Sequence, residues 1–362
     1  MLYKKIFINL VELTSISNIK RISFRNDING LRAIAVLSVV LYHAGFDTFK
    51  GGWLGVDIFF VISGYLITNI IISELNQNQF YLKNFYLKRI KRIIPAILST
   101  ILFSIPLATW LLSPKAMLEF VESVMASIFF FSNLYFKNLD FYNSAPAELM
   151  PLLHTWSLAI EEQFYILFPP LLIFLFKFLK KYTFFFLTFL AFLSIYLNTL
   201  TQDIEKFYLL QFRIWELLIG SLVVFFRIIP DIKHLEKIGF GLMIWPIFYF
   251  DDLWINDIEP KLICLFGLSI FIIFNKDSTS ISKILNIKLI SILGLSSYSI
   301  YLLHQPVFAF YKIYENLTKT VSFVDVNGSQ NFIALLLIFI VILLSQLQYR
   351  FVEIKNSLWE AF

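Results

Sequence analysis

The sequence predicts an all-α, polytopic integral membrane protein with about ten transmembrane helices around a polar cavity. Three observations carry this expectation. Hydrophobic residues make up 58% of the 362 residues and charged residues only 15%, whereas a soluble domain is roughly half apolar and about a quarter charged. The apolar residues fall in long runs rather than alternating, and the mean hydropathy is +0.74. The lysines and arginines gather in short clusters between those runs, which is how membrane topology is encoded. That distribution accounts for the formal charge of +5 without a nucleic-acid partner. The single cysteine, Cys264, permits neither an intrachain disulfide nor a Cys-based zinc site, and reads as packing.

Taken in order, residues 1–26 form a basic, partly amphipathic lead-in. Asn9 and Glu12 break its apolar run and no small-residue cleavage site follows, so it is not read as a signal peptide. Spans are expected at about 29–47, 53–74, 93–112, 158–176, 182–200, 207–226, 237–250, 260–274, 289–311 and 331–350. Each must cross a core that takes about 20 helical residues; 237–250 and 260–274 are short and borrow flanking residues. The expected membrane domain is 27–354, followed by a short tail, 355–362. With the N-terminus in the cytoplasm, the cluster Lys83, Lys88, Arg89, Lys91 and Arg92 returns inside. The segment 116–136, which carries Glu119, Glu122 and Asn133, then decides the rest. Laid along the outer side, it leaves Lys177–Lys181 and every later basic cluster inside, and the acidic "DDLWINDIE" outside. Ten spans with both termini cytoplasmic follow; eleven is the alternative. The chain ends soon after the last span, so one integral membrane domain is expected.

Ionisable groups inside such spans are candidates for function. In "NGLRAIAVLSVVLYHAGF", Arg32 lies near the cytoplasmic start, where snorkelling alone would explain it. His43 stands eleven residues on, about 16 Å further along a helix. If the turn is centred near Phe49, Asp57 in the returning helix reaches the depth of His43. A carboxylate that holds one imidazole nitrogen raises the basicity of the other, which makes a general base for an acceptor hydroxyl. Gly51, Gly52, Gly55 and Gly64 permit close approach or sharp turning; for Gly64 plain helix packing serves as well.

The stretch "LLHTWSLAIEEQFYILFPP" gathers His154, Trp156, Ser157, Glu161 and Glu162, with Ser157–Glu161 and Glu161–Tyr165 each on one helix face. A solvated helix end is the plain reading; a polar pocket with a Trp platform suits a sugar ring. Arg89 and Arg92, three apart in "LKRIKRIIP", set topology or clamp phosphate. Arg213 and Glu216 are spaced as an intramembrane ion pair, structural more often than catalytic. Tyr298, Tyr301 and His304 lie in "SSYSIYLLHQPVF", where Pro306 is expected to kink the helix; Tyr298 and His304 are taken as further lining of the cavity. Four histidines (43, 154, 234 and 304) give no ligand spacing such as i, i+4, so no metal is expected.

In several long motifs, in order over about residues 24–354, the chain resembles the membrane-bound acyltransferase 3 family, which O-acylates bacterial surface polysaccharides and related acceptors. The motifs are "RNDINGLRAIAVLSVVLYHAGF", "GGWLGVDIFFVISGYLIT", "YLKRIKRIIPA", "NSAPAELMPLLHTWSLAIEEQFYILFP", "SSYSIYLLHQPVF" and "YRFVE". The family's arginine–ten residues–histidine pattern fits Arg32 and His43, and its two-arginine motif fits Arg89 and Arg92. The resemblance implies that His43 is essential and that Arg32, Arg89 and Arg92 handle the acyl donor, acetyl-coenzyme A. It implies a bacterial inner-membrane enzyme whose partners are the lipid bilayer, the donor and a glycan or lipid-linked glycan. O-antigen, lipo-oligosaccharide, capsule, exopolysaccharide and peptidoglycan all remain open as acceptors. The long middle motif looks most like the branch that often carries an extra span and an SGNH hydrolase-like domain. No Gly-Asp-Ser block is present here, so a separate SGNH-type partner is one expectation and a shortened copy another. A transporter or flippase for a glycan intermediate is the alternative class, and an inactive relative a third.

Overall fold

In a computed structural model, residues 25–139, 145–201, 205–226, 232, 234–276, 278–318 and 329–354 are described. The expected lead-in, apart from its last two residues, and the expected tail 355–362 lie outside them. Among the described residues every regular element is helical, in agreement with the all-α membrane fold read from the sequence. In chain order the helices are α1 (Asn26–His43), α2 (Leu54–Asn76), α3 (Leu82–Leu111), α4 (Pro114–Ile128), α5 (Ser132–Lys137), α6 (Thr155–Phe178), α7 (Thr183–Leu200) and α8 (Glu205–Tyr208). There follow α9 (Leu210–Val223), α10 (Leu235–Tyr249), α11 (Glu259–Phe274), α12 (Ser280–Leu285), α13 (Lys288–Leu295), α14 (Ser297–Thr318) and α15 (Ser329–Gln348).

Among the described residues, six helical stretches are long and apolar enough to cross a membrane: Leu54–Asn76, Leu82–Leu111, Thr155–Phe178, Lys180–Leu200, Glu205–Phe226 and Asn331–Glu353. The other four expected spans are helical but shorter or more polar. α1 carries Asp27 and Arg32 within 18 residues, and α10 and α11 have 15 and 16 residues. The span expected at 289–311 is two helices, broken at Ser296. Ser296, Ser297 and, after Tyr298, Ser299 offer hydroxyls there that compete with the helical ladder, and Ser296 Oγ accepts from Gln346 Nε2 at 2.6 Å. α14 runs on through Pro306 as one helix.

The disputed segment 116–136 folds as α4 and α5. Ser113 caps α4, its Oγ accepting from Ala116 N–H at 3.3 Å, with Pro114 in the first turn. Fifteen residues reach about 22 Å, short of the roughly 30 Å hydrocarbon core. The helix presents Leu118, Val121 and Met125 outward along with Glu122, and turns Phe120, Ser123 and Ser127 inward, so its outer face is largely apolar, as suits a lipid surface.

The chain divides into two compact units. Of the described residues, one holds those within 25–39, 48–83 and 161–294; the other holds those within 40–47, 84–160 and 295–354. The first is built on α2 against α9 and α10 against α11. Where α2 meets α9 the backbones touch: a Cβ on Gly64 would sit 1.8 Å from the Leu217 carbonyl oxygen, and one on Gly220 1.9 Å from that of Val61. The second unit is clasped by polar side chains. Gln348 Nε2 donates to Ala96 O at 2.7 Å and to Ser99 Oγ at 2.6 Å, tying α15 to α3, and Tyr298 Oη donates to Ile93 O at 3.3 Å.

Gly64→Ala and Gly220→Ala each force these backbones apart. Each is expected to cost about 1–3 kcal/mol or more, read as a lower melting temperature of the detergent-solubilised protein, whereas Gly241→Ala, which meets nothing within 4 Å, leaves it unchanged.

Candidate active site

Two polar clusters lie inside the protein, one in each unit, and they obey different physics. In the first unit Arg213 of α9 is 1% exposed. A guanidinium so buried requires opposite charge. Its Nη2 donates to Asp57 Oδ1 at 2.5 Å, and its Nε donates to Glu216 Oε1 at 2.6 Å. The ion pair expected between Arg213 and Glu216 is therefore present, and a second carboxylate joins it from α2. Lys261 of α11, also buried, lies within electrostatic reach of both acids and 5.8 Å from the Trp53 ring. Two acids and two bases balance formally.

This changes the reading of Asp57. The sequence expectation gave its carboxylate to His43; the structure gives it to Arg213. Depth along a helix fixes height and not azimuth, and the ion pair with a fully enclosed guanidinium decides which way Asp57 faces. Elsewhere in this unit, Glu161 Oε1 accepts from both Ser63 Oγ and Tyr165 Oη, as the four-residue spacing predicted for Tyr165. Glu162 is buried and Arg32 half-buried. Cys264 is buried, its thiol donating to Met243 O.

In the second unit the rings come together. His43 ends α1, half-buried. Its ring lies 5.2 Å from that of His304, centroid to centroid, and 5.0 Å from Tyr42. His304 in turn lies 5.3 Å from His154 and 5.3 Å from Tyr301, with His154 and Tyr301 also 5.3 Å apart. Three chain segments supply these rings: the last turn of α1, the turn before α6, and α14. The sequence had placed His43, His154 and His304 in three separate motifs. Tyr301, passed over as lining, joins them: its Oη donates to His154 O at 2.9 Å and pairs with Ser157 Oγ at 2.6 Å. Trp156, expected as a sugar platform, is buried in the first turn of α6. Gln305 Nε2 donates to Met150 O at 3.2 Å and holds the preceding loop to α14.

His304 is fully buried, and its Nδ1 lies 2.5 Å from Tyr301 O. A carbonyl only accepts, so Nδ1 carries the proton and Nε2 the lone pair. Neither ring nitrogen of His154 makes a well-formed hydrogen bond. The Leu302 carbonyl, which Pro306 deprives of its helical donor, stands close enough to favour a proton on this ring. Burial outweighs it and, with His43 adding in the same direction, pushes the His154 imidazole down to about 3. Among the described residues no group of three or more His, Cys, Asp or Glu is arranged to hold a metal ion. Arg89 and Arg92 lie half-buried on α3 in this unit, the Arg89 guanidinium 5.6 Å from the Phe85 ring.

An all-helical membrane protein with buried imidazoles beside a half-open one has the elements of a proton-transfer site. The chain matches the acyltransferase domain family over residues 25–347 and belongs to it. It is similar to the O-acetyltransferase OatA of Staphylococcus aureus strains NCTC 8325 / PS 47, COL and MRSA252, at 32% identity over 361 residues in each case. The alignment takes in 92% of this chain and 58% of each relative, so the chain spans somewhat over half their length. No solved structure matches it.

Asp57→Asn is expected to act on stability rather than on turnover. Removing one partner of a buried pair costs about 3–5 kcal/mol, so the melting temperature falls while turnover per folded molecule changes little. A folded, fully stable Asp57→Asn protein with turnover abolished would restore Asp57 to His43. His154 sets a pH dependence. Its folded pKa, about 3, lies below its ordinary 6.5, so the unfolded chain binds the extra proton and stability falls as pH drops from about 6.5 toward 3. Melting curves from pH 7 to 4 are expected to flatten in His154→Gln.

Proposed function

We propose that this chain transfers an acyl group to a hydroxyl, with His43 as general base. The observation that carries the reading is the ring cluster: a half-buried imidazole at the end of α1 backed by the fully buried His304. Membership of the acyltransferase domain family supports it, and the name of the relatives, O-acetyltransferase, favours acetyl as the group and oxygen as its acceptor. The donor is acetyl-coenzyme A. Its phosphates are held from the cytoplasmic side by Arg89 and Arg92, aided by Arg32, since paired guanidiniums suit phosphate. The acceptor is an envelope glycan, free or lipid-linked, approaching from the outer side near His154, Trp156, Ser157, Glu161 and Glu162, with Tyr298 and His304 as further lining. Ten spans, both termini cytoplasmic, and the bacterial inner membrane complete the reading.

The chemistry balances simply. His43 takes the proton of the acceptor hydroxyl as its oxygen attacks the thioester carbonyl. The carbon–sulfur bond breaks and the leaving thiolate takes the proton back from His43. The product is an O-acyl ester and free coenzyme A.

General-base catalysis contributes roughly 10²–10⁴-fold, so His43→Gln is expected to lower acyl transfer by at least about 10²-fold. The measurement is mass spectrometry of the envelope glycans from cells carrying wild-type protein, His43→Gln or none. The acyl increment should vanish while the glycan itself still reaches the surface. Loss of the surface glycan instead would make the protein a flippase, and an unchanged acyl increment in cells without the protein would remove that glycan as acceptor.

A further inference from the structure

We propose that His304 is the positioning residue for His43, holding its ring through the lone pair on Nε2. The proposal rests on the reading of His43 as the base. A general-base imidazole works through one nitrogen and needs a partner on the other, to fix its tautomer and steady the charge it acquires. Asp57 is engaged by Arg213. Within the ring cluster, His304 offers the acceptor of known polarity. Its Nδ1–H is committed to the Tyr301 carbonyl at 2.5 Å, and Nε2 is buried with no hydrogen-bond partner. An unpaired buried acceptor is costly, and a donor that reaches it during turnover recovers that cost. The His43 ring, 5.2 Å away centroid to centroid, is within a side-chain adjustment of doing so.

His154 completes the frame rather than competing for the role. Its ring stands edge-on to both Tyr301 and His304, at interplanar angles of 67° and 72°, and walls the cluster. In the step itself, the hydroxyl proton moves to one nitrogen of His43 while the N–H on its other nitrogen donates to His304 Nε2. His304 gains a hydrogen bond and no proton, so the Tyr301 bond is kept throughout.

Two substitutions separate positioning from packing. Asn places its amide where Nδ1 stands and keeps a donor for the Tyr301 carbonyl but has nothing at Nε2. Gln reaches the Nε2 position with an acceptor oxygen and gives up the Tyr301 bond. With full-length protein in membranes, acetyl-coenzyme A as donor and release of free coenzyme A as readout, His304→Asn is expected to lose roughly 10²-fold in kcat at unchanged KM for the donor. His304→Gln should stay within about tenfold of wild type. The reverse order, or equal activity in both, overturns the proposal and leaves His304 a structural residue. A readout on the wild-type protein covers variants that fail to accumulate. With only four histidines in the chain, ¹⁵N ring signals can be assigned by substitution. His304 is expected as the Nδ1–H tautomer, with an Nε2 signal that shifts in His43→Gln; an Nε2–H tautomer, or no shift, overturns the proposal. If His43→Gln keeps full turnover, it is the general-base reading that fails, whatever the state of His304.

Discussion

An arginine enclosed by apolar helices survives only if its charge is met on the spot, and Arg213 is met twice. Asp57 comes from α2 and Glu216 from its own helix, at 2.5 and 2.6 Å. Neither acid would be tolerable there alone, and neither would Arg213. The pairing therefore fixes which face of α9 looks at α2. The same crossing brings Gly64 against Leu217 and Gly220 against Val61, close enough to exclude any side chain. Charge and absence of bulk thus specify one register together: the ion pair sets rotation, and the glycines set distance.

The histidine cluster meets the same low-dielectric problem in another way. Its buried rings are served by hydrogen-bond donors and acceptors. The helix supplies some of these from its own backbone. Tyr301 O serves His304, and Pro306 leaves the Leu302 carbonyl available beside His154. A proline that usually signals a break here leaves α14 continuous and exposes one acceptor where a buried ring can use it.

Much of the fold was legible in the sequence because its causes are local. Long apolar runs, basic clusters and Pro114 after Ser113 each act within a few residues, and the helices fall close to the expected spans. The break at Ser296 was not legible, since a hydrophobic run hides a serine pair, Ser296–Ser297, that only a partner, Gln346, makes decisive. The site was legible by residue type and not by partnership. The Arg213–Glu216 pair and the Glu161–Tyr165 pair follow from helical spacing and were found. Asp57–Arg213 spans 156 positions and His154–Tyr301 spans 147, and no periodicity carries information over such separations. Lys261 gave no signal at all, because a lysine at the edge of a span reads as a snorkelling residue.

The two clusters also divide the work that charge can do. The Asp57–Arg213–Glu216–Lys261 set pairs two acids with two bases and is closed on itself by buried ion pairs, so it suits a fixed frame. Of the three imidazoles, His43 is the half-open one and so the one placed to meet an incoming proton. A second positive charge 5.2 Å from the first costs about 3 kcal/mol even at an effective dielectric of about 20. On the general-base reading proposed for His43, a cluster that favours a single charge suits a base that takes one proton and gives it back within the same step.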